Sequence, residues 1–368
     1  MNSAKILVVI DQLAFGGAGR VCSILVDGLV ERGSDVTVCT STRYHPINYK
    51  LSEKVQIKEW YDPEPVRHTL MGKFLNMYNR HKYYRRALRD VQPDMIIAFT
   101  HYIFFYVRLW TYGYDTPIIA SDHTSMGRDL GHFSNFIRHK YYAKADIVTI
   151  LTNKDSLLLG DKLPNKVIVY NPVTFDGLVQ PTERRRNIIC VGRKDFWSVK
   201  GFDRMIQIWS MLASEYPEWV LEIVGPGQKD SEDKLMMIVD KYRLHGRVRF
   251  VGEQSDMQTV YTNASIFALP SRVEGFPMVL LEAMSQGCAC VSFSMQGAIK
   301  EIINDGLDGS IVADDDISGF AEKLKELIED DVRRESYSTN AMKNVQRFSK
   351  NRFIDRWEEL IKRLTLDQ

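Results

Sequence analysis

No stretch of the 368-residue chain reaches 18 consecutive apolar residues, and the most apolar window, IIAFTHYIFFYVRLW, is cut by Thr100, His101 and Arg108. A helix spanning a bilayer is therefore not expected. The opening MNSAKILVVIDQLAFGG also lacks the apolar segment and small-residue cleavage site of a secretory leader, and reads as a first strand instead. Cysteine is scarce: Cys22, Cys39, Cys190, Cys288 and Cys290 form an odd set, mostly inside apolar runs. Their spacing fits neither a disulfide framework nor a zinc site, and a reducing cytoplasm is the expected compartment. Net charge is almost absent, at +1, and no long basic stripe of the kind nucleic acid requires runs through the chain.

What is present suits a globular protein, with 45% hydrophobic and 26% charged residues in a chain long enough for two domains. The charge is unevenly shared. Residues 1–175 hold 22 Lys and Arg against 16 Asp and Glu, or +6, and the rest hold 26 against 31, or −5. Much of the excess lies in VRHTLMGKFLNMYNRHKYYRRALRD, where Arg80, Lys82, Arg85, Arg86 and Arg89 mix with Phe74, Met77, Tyr78, Tyr83 and Tyr84. Such a segment is either a solvated helix face over a core or a surface that meets anionic lipid headgroups.

Strand-like and helix-like segments alternate. KILVVI is followed by a glycine loop, the amphipathic RVCSILVDGLVERG and then DVTVCT, which makes a βαβ unit; DMIIAF, PIIAS, DIVTIL and KVIVYN continue the rhythm. NPVTFDGLVQPTERRR, residues 171–186, breaks it with two prolines, a glycine and a basic run, as an interdomain linker does. NIICVG, WVLEIVG, RVRFVG, SIFALP, CVSF and SIVA then restart the pattern. The expectation is two doubly wound α/β domains, residues 1–170 and 187–348. A last helix in residues 349–368, with Phe353, Trp357, Leu360 and Ile361 on one face, is expected to return to the first domain. Ligands of open α/β sheets bind beyond the carboxyl ends of the strands, so the cleft between two such domains is the expected site.

Three clusters carry chemistry. FGGAGR follows the first strand, but the third glycine of G-x-G-x-x-G is replaced by Cys22 and VCTSTRY ends the second strand without an acidic residue, which weakens a dinucleotide reading. What remains is a tight turn, or a loop whose backbone N–H groups approach a phosphate or sugar. In VGRKDFWSVKGFD, Arg193 lies just past a strand and Lys200 just before a helix; two cations at a sheet's carboxyl edge are ordinary surface charges or the partners a diphosphate leaving group requires. In SRVEGFPMVLLEAMSQG, Glu274 sits in a loop and Glu282 inside the next helix, whose start presents N–H groups around Phe276, Pro277, Met278 and Val279. Each glutamate alone reads as a cap or as an acceptor for sugar or ribose hydroxyls.

Together these features resemble glycosyltransferase family 4, the retaining GT-B enzymes that use nucleotide sugars. The resemblance rests on EGFPMVLLE as E-x(7)-E, on VGR and KGF upstream and on the GGA loop after the first strand, and it covers nearly the whole chain. It implies two Rossmann-like domains facing across a cleft, with the acceptor on the first and the nucleotide sugar on the second. By the same resemblance Arg193 and Lys200 hold the donor diphosphate, Glu282 the ribose, Glu274 the donor sugar's hydroxyls, Gly16 and Gly17 close over the phosphates, and His123 in IIASDHTS faces the donor sugar. Phe276, Pro277, Met278 and Val279 belong to the donor-binding helix start. Catalytic roles fall to Glu274, His123, Arg193 and Lys200. The chain departs from the pattern at Gly19, where many relatives have Glu, and at Met295, Gln296 and Gly297, where the closing block begins differently.

The implied activity is retaining transfer of a hexose or N-acetylhexosamine, from a UDP-linked donor to a glycan acceptor carried on lipid, in bacterial capsule, lipopolysaccharide or exopolysaccharide assembly. No carboxylate nucleophile is evident, which favours front-face displacement. No metal or other cofactor is expected: Asp314, Asp315 and Asp316 precede a helix as capping carboxylates, and Cys288 and Cys290 read as strand packing. A cytoplasmic protein with peripheral contact to an anionic membrane follows, without nucleic-acid partners. A sugar-nucleotide epimerase or phosphorylase on the same fold and a noncatalytic glycan-binding module are the alternatives.

Overall fold

A computed structural model of the chain describes residues 4–13, 16–41, 47–60, 70–175, 177, 183–295 and 298–366. Two compact units emerge, Met1–Pro172 with Lys350–Gln368, and Val173–Ser349.

The first unit is built on β1 (Lys5–Val9), β2 (Asp35–Ser41), β3 (Gln56–Trp60), β4 (Met95–Phe99), β5 (Ile118–Ser121), β6 (Ile147–Ile150) and β7 (Lys166–Ile168). They form one sheet in the order β3-β2-β1-β4-β5-β6-β7, with every pairing parallel. Near-continuous apolar strands such as MIIAF, buried at all five positions, are what a sheet covered on both faces demands. β3 is the strand that the hydrophobic rhythm does not announce. It is an edge strand carrying Lys58 and Glu59, and Lys58 donates to Asp90 at 3.1 Å.

Helix Gly17–Glu31 buries Val21, Cys22, Leu25, Val26, Leu29 and Val30 against this sheet. The C-terminal helix Lys350–Leu366 packs on it. A Cβ on Gly28 would lie 2.4 Å from Ile354 Cδ1, so glycine is what admits the returning helix. Phe353, Trp357, Leu360 and Ile361 are all buried, and Arg32 pairs with Asp355 and Glu358. The return expected from the apolar face is thus found in the first unit.

The second unit holds β8 (Arg185–Val191), β9 (Val220–Val224), β10 (Val248–Val251), β11 (Ala264–Leu269), β12 (Ala289–Phe293) and β13 (Ser310–Val312), in the order β10-β9-β8-β11-β12-β13. All of these pairings are parallel as well. In each sheet the order reverses beside the first strand of the unit, between β1 and β4 and between β8 and β11. Loops leaving those two strands diverge at the carboxyl edge and open a crevice.

The segment 171–186 divides between described and undescribed positions. Thr174 is buried and its hydroxyl donates to Glu282 Oε1 at 2.7 Å, while Arg184 donates to the carbonyls of Tyr261, Ala264 and Gln286. Thr174 and Arg184 are therefore fastened within the second unit, whereas Asn171 and Pro172 belong to the first; 176 and 178–182 lie outside the described residues. All five cysteines are free and buried. Burial pushes the Cys39 and Cys288 thiols up to about 12, which leaves neither as a thiolate near neutral pH.

Asp316 caps helix Ile317–Glu329 by accepting from Gly319 N at 2.8 Å, Asp314 accepts from Met295 N, and Asp315 pairs with Arg204. Gln296 and Gly297 lie outside the described residues. Among the described residues, no helix is long and apolar enough to cross a membrane.

Candidate active site

In the first unit a cavity of about 570 Å³ opens at the reversal point of the sheet. It is lined by Asp11 and Gln12 beyond β1, Gly16 to Gly19, Thr100 to Ile103 beyond β4, and Asp122 to Thr124 beyond β5. Gly16 has φ 154, a value that side-chain-bearing residues rarely adopt, and it brings bare backbone to the cavity wall. Tyr49 clamps this glycine: Gly16 N donates to the phenol oxygen at 2.9 Å, and the phenol donates to Gly16 O at 3.0 Å. Gly17 then starts the helix, and among the described residues nothing lies within 4 Å of the space a Cβ would take at either glycine.

His123 shares this cavity with Gly16 and Gly17. Its ring stacks on Phe99 at 5.0 Å and its Nε2 lies 3.0 Å from Ser121 Oγ. Burial lowers its pKa to about 4 against the opposing pull of Asp122 and Asn171, so the imidazole is neutral at physiological pH. The loop that carries it is fixed from below. Asp122 Oδ2 accepts from Arg138 Nε and the Tyr142 hydroxyl, both at 2.9 Å, and the fully buried Arg138 also donates to the carbonyls of Thr124 and Ser125 at 2.7 Å. An ion pair this deep survives only because its remaining donors are satisfied.

Two neighbours in the cavity are less relaxed. Thr100 has φ 77, an outlier for a β-branched residue, and it stands where β4 hands over to helix His101–Trp110. His101 is buried, its pKa is lowered by that burial, and its Nε2 has no hydrogen-bond partner among the described residues. A buried ring nitrogen without a partner on a cavity wall is an available contact for a ligand hydroxyl.

The second unit assembles the other cluster at its own reversal point. Glu274 Oε1 accepts from Lys200 Nζ and from Ser271 Oγ, both at 2.8 Å, with the Lys200 side chain 25% and the Glu274 side chain 14% exposed. The approach of the two loops depends on Gly201: its φ is 68, and a Cβ there would fall 1.9 Å from Pro270 O. Arg272 clasps the same junction through two bonds to Asp203, at 2.8 and 2.7 Å, and through its own N–H to Val199 O. Lys200 and Glu274, 74 residues apart in sequence, are thereby brought into direct contact.

Arg193 follows Gly192, whose Cβ position would lie 3.3 Å from the Lys200 side chain; its own half-exposed side chain reaches Asp195 at 3.4 Å and lies over the Phe196 ring. Asp195 is itself anchored by Gln228 N and Ser231 Oγ, and the Gln228 bond is the first cause of its lowered pKa. The next residue, Lys194, is fully buried and pairs with Glu232. Neighbouring lysine and arginine thus face opposite ways, and only Arg193 offers its charge to solvent.

Glu282 lies in helix Met278–Ser285, which Pro277 precedes. Its Oε1 accepts from Thr174 and its Oε2 from the Tyr261 hydroxyl at 2.9 Å. Phe276 is buried edge-on against Phe348, 5.3 Å away, so it serves as packing while the first-turn N–H groups, those of Met278 and Val279 among them, lack partners within the helix. Tyr49, Arg138, Tyr142, His101 and Tyr261 were not marked by the sequence reading, since no local motif surrounds them.

Two family models match the chain: Glycosyltransferase Family 4 over residues 15–176, and Glycosyl transferases group 1 over residues 179–344. The amylovoran biosynthesis glycosyltransferase AmsD of Erwinia amylovora is 26% identical over 97% of this chain and 99% of its own. An α-1,4-N-acetyl-D-galactosaminyltransferase of Campylobacter jejuni, named for a glycan on PP-undecaprenol, is 25% identical over 97% and 98%. Among solved structures, sucrose-phosphate synthase from Thermosynechococcus elongatus superposes with a TM-score of 0.85 at 15% identity, over 99% of this chain and 100% of that one. HepE of Anabaena in complex with UDP and glucose gives 0.79 at 17%, over 98% and 99%. At these identities the structural likeness is one of fold, and that fold is GT-B.

Proposed function

Taking as premise that the chain belongs to glycosyltransferase family 4, we propose that it is a retaining, metal-independent transferase moving a hexose or N-acetylhexosamine from UDP to a lipid-linked glycan in bacterial surface-polysaccharide assembly. The observation that carries the reading is the contact of Lys200 with Glu274 at the carboxyl edge of the second sheet, where the half-exposed Arg193 follows the first strand of the unit. In this reading Arg193, Lys200 and the helix start at Met278 hold the diphosphate, where negative charge grows as the glycosidic bond breaks. Glu282 meets the ribose and Glu274 the donor sugar. The leaving phosphate takes the acceptor's proton on the face where the new bond forms.

The first unit takes the acceptor in its cavity. On its wall His101 offers a ring nitrogen to an acceptor hydroxyl, while Gly16, Gly17 and His123 keep the donor roles that the resemblance implies. The names of the relatives support a polysaccharide or lipid-linked acceptor, and the UDP complex of HepE supports the nucleotide. Work at an anionic membrane surface, by peripheral contact, belongs to the same reading.

The test is nucleotide release from a panel of nucleotide sugars, with and without acceptor and in EDTA. Slow release of UDP in water that accelerates with a lipid-linked acceptor and is indifferent to EDTA is expected. Arg193→Ala and Lys200→Ala should each add about 2 to 4 kcal/mol to the barrier. Loss of activity in EDTA with recovery on adding Mg²⁺ would sink the metal-free mechanism, and no transfer with any donor would favour a binding module.

A further inference from the structure

Helix His101–Trp110 buries His101, Ile103, Phe104, Val107 and Trp110, and its opposite face is therefore the one that meets water. That outer face carries Tyr102, Phe105, Tyr106 and Leu109, at the i, i+3, i+4, i+7 spacing of a single stripe, where a surface helix ordinarily places polar residues. Beside it, helix His132–His139 turns Phe133 and Phe136 outward, each 48% exposed, as Tyr102 and Leu109 are at 43% and 46%. The rings are in mutual contact: Phe105 lies 5.2 Å from both Phe133 and Tyr141, and Tyr102 lies 6.2 Å from Phe133. A contiguous apolar patch of this kind on a soluble unit marks an interaction surface.

The sequence interleaves the cations of helix Leu70–Val91 with Tyr83 and Tyr84 among other apolar residues. Both tyrosines turn inward instead. Tyr84 is buried and stacked on Trp110 at 4.7 Å, and Tyr83 points its hydroxyl at Cys39. The side chain of Phe74 lies outside the described residues. Among the described residues of this helix Tyr78 is the ring that stays exposed, and the exposed rings in mutual contact belong to the two following helices.

We infer that this aromatic face is where the protein enters the headgroup region of an anionic membrane, resting on the lipid-linked acceptor proposed above. Three observations favour lipid over another protein. No Asp or Glu occurs in residues 101–114 or 130–145, whereas Arg108, Lys140 and Lys144 do. Arg80 lies over the Tyr106 ring at 5.5 Å and Lys144 over Tyr141 at 4.7 Å, so cations border the rings as they do at a bilayer interface. A two-fold dimer through this patch would set one cation-bordered surface against its copy, with like charges meeting. Finally, Tyr102 and Tyr106 also line the cavity, so the patch runs into its mouth. An acceptor anchored in the membrane would enter along this face without leaving the bilayer.

Flotation of the full-length protein with vesicles of phosphatidylcholine, alone or mixed with phosphatidylglycerol, tests the surface. Binding to the mixed vesicles is expected. Phe133→Ser with Phe136→Ser, which removes two half-exposed rings, should weaken partition about ten- to a hundredfold, while thermal unfolding stays close to the parent's. Because the native cysteines are all buried, Phe136→Cys accepts an environment-sensitive dye selectively, and its emission should shift to the blue on the mixed vesicles. The same dye on Met237→Cys, in the second unit, should not respond. Unchanged partition of the folded double variant, no blue shift at position 136, or a solution dimer that those two substitutions dissociate would overturn the inference. Transfer to a water-soluble acceptor should persist in the double variant. If the parent transfers to no acceptor at all, the transferase reading fails, and flotation still judges this surface independently.

Discussion

Gly201→Ala puts the geometry of the second site to a quantitative test. The residue has φ 68, so alanine there takes on the left-handed cost of about 1 to 2 kcal/mol. The new methyl would fall 1.9 Å from Pro270 O, a backbone atom that no rotamer change can move aside. Relief requires parting the loops after β8 and β11, at an overpacking cost of about 1 to 3 kcal/mol more. The total, about 2 to 5 kcal/mol, corresponds to a fall in melting temperature of roughly 4 to 20 °C for a unit of this size. Gly246→Ala is the control within the same unit: φ is 74, and among the described residues nothing lies within 4 Å of the added carbon, so only the backbone cost of about 1 to 2 kcal/mol applies. Calorimetry of the two variants isolates the clash. Parting the loops also draws Lys200 from Glu274, so Gly201→Ala should weaken donor use while Gly246→Ala leaves it alone. Equal melting temperatures in the two variants would refute the claim that close approach at Gly201 holds this site together.

Glu282→Ala should raise the donor KM more than it lowers kcat, because a ribose contact serves ground and transition states alike, whereas Glu274→Ala should lower kcat; equal effects on both parameters in both variants would contradict the assignment. Arg138→Met leaves Asp122 charged and buried beside Tyr142, and should cost about 3 to 5 kcal/mol in urea unfolding; a loss below about 1 kcal/mol would mean the network does not support the His123 loop. Burial lowers the His123 pKa to about 4, so between there and about 6.5 the unfolded chain binds a proton that the folded chain does not, and stability rises with pH through that window. His123→Gln should flatten the rise in urea-unfolding free energy between pH 4.5 and 6.5; an unaltered slope would place that rise elsewhere.

The fold was legible in the sequence to the extent that strands are buried on both faces. MIIAF is apolar throughout and SIFAL nearly so because helices cover both sides of a parallel sheet, and such runs stand out against the amphipathic helices between them. QIKEW escaped notice for the complementary reason. It lies at the sheet's edge and places Lys58 where it meets Asp90, so its pattern is that of an ordinary polar segment. The returning helix was visible because Phe353, Trp357, Leu360 and Ile361 align on one side; its docking point was not, since nothing near Gly28 reveals that a missing Cβ makes room for Ile354.

The same divide runs through the sites. Gly16, Arg193, Lys200, Glu274 and Glu282 sit in short motifs at strand ends, and local sequence suffices to mark them. What holds them comes from afar: Tyr49 reaches Gly16 across 33 residues, Tyr261 and Thr174 reach Glu282 across 21 and 108, and Arg138 reaches Asp122 across 16. Each supporting residue looks, in its own neighbourhood, like an ordinary tyrosine or arginine. Chemistry at the carboxyl edge needs a few groups with fixed identity, while their orientation can be secured by any buried donor that topology delivers. The first requirement leaves a spacing in the sequence; the second leaves only a partner in space. Glu282 shows why this matters for function, since a carboxylate whose two oxygens each accept a hydrogen bond is fixed in position before any ribose arrives, and less ordering remains to be done on binding.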